Sequence, residues 1–481
     1  MQLLYIVVIV AAMVAGDLAT AEPVAHDRLR LLMTVAAVSM VMLFAHAAAG
    51  ITLFRLRQDF ARRAVWMDTF AQWKALHLGL WAIVSVAILF GFQWAQLVRS
   101  NWQLADTFLL DEALILVPLL VPLFFSWAAF YEVDRTLERC LTPAEPLVGP
   151  WQGRIRYVLT HARHHLGLLL LPLFLVVAYQ DATRWWLPEN AADDLAMLGY
   201  LPLMALLALS VPLLLRLIWP TESLPAGPLR ECLVAVHTRL GVGIRDILVW
   251  KTHRMITNAA VAGFVPRLRY VFLSDGLLGQ LRREEIASIY AHELGHIRGR
   301  HLPLRVAAAL LPVAVWIVAT NSLTAWFGSP VADAGEAAEI AQAAIASVSA
   351  WNATAPLGLL TLMALYAATV MSRYSRLMEH EADLVACQET AARDSFSAAA
   401  AEPFADTLVR LTLASGQRLD RRSWLHPSVA DRVAFLRRAA EAPADRRHFE
   451  VRMRRLARFF VGLLLLTFVV GTVLSNLAAR F

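Results

Sequence analysis

The sequence has 481 residues, of which 58% are hydrophobic and 17% charged, whereas charged residues make up about 25% of an ordinary globular chain. This composition argues against a wholly soluble protein. The net charge is +6, and all but two of the 44 basic residues are arginines that lie between the apolar runs. Membrane topology accounts for arginines in these positions, so they do not indicate a nucleic-acid partner.

Apolar runs near the ~20 residues that a membrane-spanning helix needs recur along the whole chain. The candidate spans are residues 3–16, 31–54, 75–98, 108–131, 158–179, 197–219, 303–325, 351–371 and 457–478. The first run is short and precedes Ala19-Thr20-Ala21, which resembles a cleavage site. Residues 1–21 are therefore either a signal peptide or a short first span. The sequence predicts a mainly α, polytopic membrane protein with about 8–9 spans.

Arginine-rich and arginine-poor intervals alternate between the spans, which predicts the orientation. The arginine-rich intervals are residues 55–74, 132–157, 220–302 and 372–456. We expect these to be cytoplasmic. The near absence of lysine is typical of a GC-rich genome and favours a bacterial inner membrane. The cysteines Cys140, Cys232 and Cys387 show no paired spacing, so we expect free thiols in a reducing compartment.

The two long polar intervals lie on the same predicted side, so one domain must be assembled from both. The first contains predicted helices at 228–240 and 283–300 and strands at 244–251, 258–264 and 269–274. A small α+β domain is expected. The predicted organisation is 1–219 (N-terminal membrane region), 220–302 (first part of the domain), 303–371 (two-span hairpin), 372–456 (second part) and 457–481 (last span).

The predicted helix at 283–300 contains the pattern His292-Glu293-Leu294-Gly295-His296, abbreviated HExxH. Residues i and i+4 lie on one face of a helix, so both imidazoles can bind one Zn²⁺ while Glu293 can act as general base. This pattern indicates metal-assisted hydrolysis.

A catalytic zinc needs a third protein ligand. One known arrangement requires a histidine ten positions after His292, but Leu302 stands there and His301 is one position early. One residue turns a helix by about 100°, so we expect His301 to be a rim residue rather than a ligand. The segment Ser375–Asp383 offers the alternative, with Glu379 as third ligand and Asp383, on the same helix face, as the partner of a ligating histidine.

These motifs together resemble a known family. The string from His292 to His296, the SRxxExxAD pattern ending at Asp383, and His426-Pro427 followed by Arg432 are similar to the integral-membrane gluzincins of the CAAX prenyl endopeptidase and heat-shock membrane protease family. Asn258-Ala259 upstream is similar too, and the likeness covers roughly residues 225–440. The N-terminal half has more spans than the heat-shock type.

The resemblance implies one zinc ion on His292, His296 and Glu379, with Glu293 as base. It also implies that His426 and Arg432 lie near the substrate oxyanion. Asn258 and Ala259 would lie in an edge strand that holds the peptide substrate.

The expected function is a zinc endopeptidase that cleaves membrane-associated proteins at the cytoplasmic face. Two alternatives stay open, namely a sensor-transducer that cleaves one dedicated regulator and CAAX-type processing of lipidated peptides. The expected partners are a peptide or membrane-protein substrate and the lipid bilayer, and the sequence does not indicate an oligomeric state.

Overall fold

The structure is a computed structural model that describes residues 2–105, 107–141, 149–254, 256–327, 358–359, 362–390, 396–414, 418–421, 423 and 425–478. The chain forms two compact units, Met1–Pro220 and Thr221–Phe481, and each is described by itself.

The first unit consists of helices. Its long helices are α1 (Gln2–Asp17), α2 (Asp27–Gln58), α3 (Arg63–Val86), α4 (Leu110–Leu141), α5 (Arg154–His165), α6 (Gly167–Trp186) and α7 (Glu189–Ile218). Wide helical turns at Ala87–Gly91 and Leu97–Asn101 flank a short turn at Trp94–Gln96. The fold class predicted from the sequence, a mainly α polytopic membrane protein, is confirmed.

A proline inside α4 shows how this unit satisfies its backbone. Pro118 has no N–H, so the carbonyl of Leu114, four residues earlier, lacks its helical partner. The indole Nε1 of Trp94 donates a hydrogen bond of 3.1 Å to that carbonyl. A neighbouring segment thus supplies the donor that water cannot supply inside a bilayer.

Seven helices in the described part of the chain are long and apolar enough to cross a membrane. They are Asp27–Gln58, Val65–Gly91, Leu110–Cys140, Gly167–Trp186, Leu198–Ile218, His301–Thr320 and Pro443–Leu474. The span predicted at 158–179 has wrong bounds, because the basic helix α5 ends at His165 and the apolar helix α6 begins at Gly167. Residues 351–357, 360 and 361 of the span predicted at 351–371 lie outside the described residues, whereas 358–359 and 362–371 are helical.

The second unit combines helices with a small sheet. Its helices are α8 (Pro228–Arg239), α9 (Asp275–Gln280), α10 (Arg283–Arg298), α11 (His301–Phe327), α12 (Ser372–Thr390), α13 (Ala398–Ala414), α14 (Val429–Glu441) and α15 (Pro443–Ala478). Its strands are β1 (Thr221–Ser223), β2 (Asp246–Trp250), β3 (Ala259–Ala262) and β4 (Tyr270–Ser274). The predicted strands and both predicted helices of this region are present, whereas β1 and α9 were not predicted.

The sheet has the order β1-β2-β4-β3. β2 and β4 are parallel, and β1 and β3 pair antiparallel to them at the two edges. The two inner strands are buried along nearly their whole length, and they pack with α8, α10 and α12 in one apolar core. β3 therefore lies at a sheet edge beside α10, the helix that carries the HExxH pattern.

Candidate metal centre

Two histidines of α10 and one glutamate of α12 face each other. The Nε2 atoms of His292 and His296 are 3.3 Å apart, and each lies 3.6 Å from a carboxylate oxygen of Glu379. One ligand atom from each residue lies within 4.8 Å of the others. All three residues are largely shielded from solvent, and Glu379 is only 2% exposed. The structure thus brings together the three residues that the sequence proposed as ligands.

The carboxylate of Asp383 orients His292. His292 Nδ1 donates to Asp383 Oδ1 at 2.9 Å, which leaves Nε2 to face the other two donors. Arg432 in turn donates from both Nε and Nη2 to the two Asp383 oxygens, with the Nε contact at 2.9 Å. Burial alone would raise the pKa of Asp383, but the guanidinium of Arg432 and the hydrogen bond from His292 outweigh it and hold this pKa below its usual range. The fully buried carboxylate is thereby kept ionised.

His301 plays the corresponding part for His296. The two Nδ1 atoms are 2.8 Å apart, and His301 Nε2 lies 3.0 Å from Glu381 Oε2. His301 is 1% exposed, so the expectation that it is a rim residue is wrong.

His301 is not among the three grouped donor residues, as expected, but the helical register does not place it because α10 ends at Arg298. Arg300 adopts a left-handed conformation with φ of 53°, which interrupts the helical geometry between α10 and α11. The break turns His301 back over Gly299, where a Cβ would come within 2.3 Å of the His301 ring. Gly299 thus supplies the space that His301 needs to reach His296.

The donor set fits a divalent cation of the zinc type. Since the Nδ1–H of His292 donates a hydrogen bond to Asp383, the Nε2 of that ring presents a lone pair. This lone pair, the second Nε2 and the ionised Glu379 converge on one small volume, an arrangement that a cation stabilises. Burial alone would raise the pKa of Glu379, but the neighbouring imidazoles of His292 and His426 outweigh it and hold this pKa far below its usual value. Two imidazoles and one carboxylate are the ligands of a three-residue catalytic zinc site.

Two further side chains, an imidazole and a guanidinium, contact Glu379. His426 Nδ1 lies 2.9 Å from Oε2, and Arg305 Nη2 donates to Oε1 at 3.1 Å. His426 was predicted near the reaction centre, whereas Arg305 was not. Arg305 is four residues after His301, so both residues lie on one face of α11. This spacing is the sequence signal that could have indicated Arg305.

Glu293 lies in the same cleft as the three donors. Burial raises the pKa of its carboxyl group to about 7. His292 and Glu379 act on this pKa in opposite directions. A carboxyl group whose pKa is near neutrality can both accept and return a proton.

The edge strand β3 forms another wall of this cleft, whose volume is about 510 Å³. Asn258 and Ala259, the residues expected to hold substrate, line it at the start of β3. Asn258 is fixed by its backbone, which donates to Ser274 Oγ at 2.9 Å and accepts from Ser274 N at 3.0 Å. The structure therefore places the predicted substrate strand beside the histidines.

The fold and this donor set define a class: a helical membrane protein with a gluzincin-type His-His-Glu centre. Comparison with known proteins agrees. Residues 234–440 match Peptidase family M48, which agrees with the resemblance that the motifs indicated. A crystal structure of Ste24p from S. mikatae superimposes with a TM-score of 0.50 at 16% identity, covering 86% of this chain and all of that one.

Curated relatives described as protease HtpX homologues match in sequence. The protein from Pyrococcus abyssi is 34% identical over 76 residues, which are 16% of this chain and 26% of the relative. That from Aeropyrum pernix is 27% identical over 36% of this chain and 55% of the relative, and that from Acidiphilium cryptum is 28% identical over 38% and 64%. The matches thus span between about a quarter and just under two thirds of these relatives.

Proposed function

We propose that this chain is a zinc-dependent endopeptidase that hydrolyses peptide bonds of membrane-associated proteins at the cytoplasmic face of a bacterial inner membrane. One observation carries the proposal. The His-His-Glu donor set, the carboxyl group of Glu293 and the edge strand β3 all line a single cleft. A metallopeptidase needs these three parts together: a metal site, a base and a surface that holds an extended peptide.

His292, His296 and Glu379 would hold one zinc ion per chain and leave a coordination position open. When bound, the metal would supply Lewis-acid polarisation of the scissile carbonyl and of water. Asp383 and His301 would hold the two imidazoles in the required orientation.

The other residues of the cleft supply proton transfer and charge. Glu293 would accept a proton from the attacking water and pass it to the leaving amine. His426 and Arg432 both line the cleft and would stabilise the negative charge that develops on the carbonyl oxygen. Because the backbone of Asn258 already pairs with Ser274, the backbone of the next residue, Ala259, would pair with an extended substrate by strand addition, and Asn258 would lie beside it. Side-chain selectivity would then be low.

The cytoplasmic orientation rests on loop charge. The intervals that supply the domain, 220–302 and 372–456, are rich in arginine, while the intervals before and after them are poor in it. The positive-inside rule assigns such intervals to the cytoplasm.

Proteome-wide mapping of new N-termini tests the proposal. Cells that express the wild-type protein are compared with cells that express Glu293→Gln, which keeps the shape of the side chain but cannot accept a proton. We expect many cleavage sites in membrane proteins to depend on Glu293. A single dependent substrate would instead indicate the dedicated regulator, cleavage confined to lipidated C-termini would indicate CAAX-type processing, and identical N-termini in both strains would refute peptidase activity.

A further inference from the structure

A second cavity of the Thr221–Phe481 unit is lined mainly by arginines. We call it the arginine pocket: Arg373 and Arg376 at the start of α12, Arg438 on α14 and Arg452 on α15, with His380 and Asp431. Its volume is about 420 Å³. Four guanidinium groups share it with one carboxylate, so the pocket carries excess positive charge.

Three of the four arginines have no carboxylate partner among the described residues. Within the described ranges, no carboxylate lies at ion-pair distance from Arg373, Arg438 or Arg452. Other exposed arginines of this unit do find acids, as Arg437 does with Glu402 at 2.9 Å. His380 also has a buried Nδ1 atom that makes no hydrogen bond to any described residue. Like charges gathered without counter-charges repel each other, and a bound anion removes that repulsion.

The pocket lies close to the apolar ends of two helices. Arg373 is two positions after Met371, the last residue of the helical segment 362–371. Arg452 precedes the apolar part of α15, which begins at Phe459, by seven residues or roughly 10 Å. Guanidinium groups match the geometry of phosphate oxygens, and basic pockets next to membrane helices suit anionic head groups.

We propose that the arginine pocket binds the phosphate head group of an anionic phospholipid. The apolar side chains of Leu377 and Ala434, which also line the cavity, would contact the lipid where its acyl chains begin. The site is distinct from the peptidase cleft and requires no metal.

Three chain segments line both the arginine pocket and the peptidase cleft, with adjacent residues on the two sides. His380 of the pocket follows Glu379 of the cleft, Pro427 follows His426, and Asp431 precedes Arg432. A bound head group would therefore tie together the three chain segments that carry Glu379, His426 and Arg432. If the proposed function is correct, the lipid would stabilise the metal site through these three segments without entering the cleft.

Thermal unfolding of the full-length protein tests lipid binding independently of peptidase activity. The protein is purified in neutral detergent, and its melting temperature is measured with phosphatidylglycerol or with phosphatidylcholine of the same acyl chains. Because a ligand of the folded state raises the melting temperature, we expect phosphatidylglycerol to raise it and phosphatidylcholine not to. Inorganic phosphate should have no effect, and a rise equal to that with phosphatidylglycerol would assign the pocket to a soluble ion instead.

Matched double variants separate the pocket from general surface charge. Arg373→Gln with Arg452→Gln should abolish the rise. Arg454→Gln with Arg458→Gln removes two exposed charges of α15 outside the pocket. This pair should keep the rise in melting temperature with phosphatidylglycerol. If both pairs of substitutions reduce the rise in melting temperature equally, or if both leave it unchanged, the proposal is overturned. If the first pair fails to fold, Arg438→Gln alone should reduce the rise, and an unchanged rise would count against lipid binding in this pocket.

Discussion

Gly295 of the HExxH helix lies directly against Ala382 of α12, where a Cβ would come within 2.8 Å of the Ala382 Cα. The obstructing atom belongs to the backbone, so it cannot move aside as the end of a side chain could. The close approach of these two helices sets the distance from the histidines to Glu379.

Gly295→Ala should therefore weaken metal binding although Gly295 offers no ligand atom. Forcing an extra methyl group into a packed interface costs about 1–3 kcal/mol, or roughly 5- to 150-fold in affinity if all of it falls on the site. Competition with a zinc chelator measures this. Gly279→Ala is the matched control, because a Cβ there meets nothing within 4 Å. Equal zinc affinity in both variants would show that helix spacing does not limit the site.

His301→Ala should lower zinc affinity by roughly 10- to 100-fold, the usual effect of removing the hydrogen-bond partner of a metal ligand. Glu381→Gln should lower zinc affinity by a smaller factor, because the amide oxygen can still accept a hydrogen bond from His301. His448→Ala, an exposed histidine on α15, is the control. The assignment of His301 as a positioning residue fails if zinc affinity is unchanged.

Glu293→Gln should retain zinc and lose roughly 10²- to 10⁴-fold in turnover, the usual contribution of a general base. Zinc content by elemental analysis and turnover on a quenched peptide are measured on the same preparation. We expect about one zinc per chain in both proteins. Turnover close to that of the wild type would remove Glu293 from the role of base.

Arg432→Ala should cost zinc as well as activity, because it leaves Asp383, which is fully buried, without its guanidinium partner. Breaking a buried ion pair costs about 3–5 kcal/mol. Arg437→Ala on the same helix breaks only an exposed pair with Glu402 and should change little. If Arg432→Ala instead keeps full zinc and loses only kcat, the guanidinium acts on the oxyanion alone.

A thiol introduced at Ser423, which is exposed, should be inaccessible to a membrane-impermeant reagent in intact cells and reactive after lysis. The physical reason is the arginine bias of the intervals that flank it. Ser423→Cys is best made with Cys140 and Cys232 replaced by serine, since Cys387 is buried. Labelling in intact cells would invert the proposed topology.

The sequence was most informative where function depends on spacing within one helix. His292 and His296, or Glu379 and Asp383, are four residues apart, and helical geometry alone places each pair on one face. Hydropathy likewise predicted most spans, because each span is a continuous apolar run. The bounds at 158–179 went wrong where a basic helix, α5, leads into an apolar one with a single residue between them.

Features that depend on long-range approach could not be predicted in this way. The contact of His301 with His296 depends on a left-handed residue, Arg300, that no propensity rule anticipates. The arginine pocket combines residues from three helices and the His426-Pro427 turn, so in the sequence its arginines indicated only membrane topology.

The two helices that carry the ligands lie far apart in the order of synthesis. α10 leaves the ribosome with both histidines, but Glu379 follows only after the apolar helix α11 and all residues up to α12 have been made. A nascent chain therefore holds an incomplete donor set until the intervening segment and the first half of α12 have been made. On the proposed function, proteolytic competence would then arise only late in synthesis, so shorter nascent chains would be harmless to the ribosome and to the proteins being folded around it.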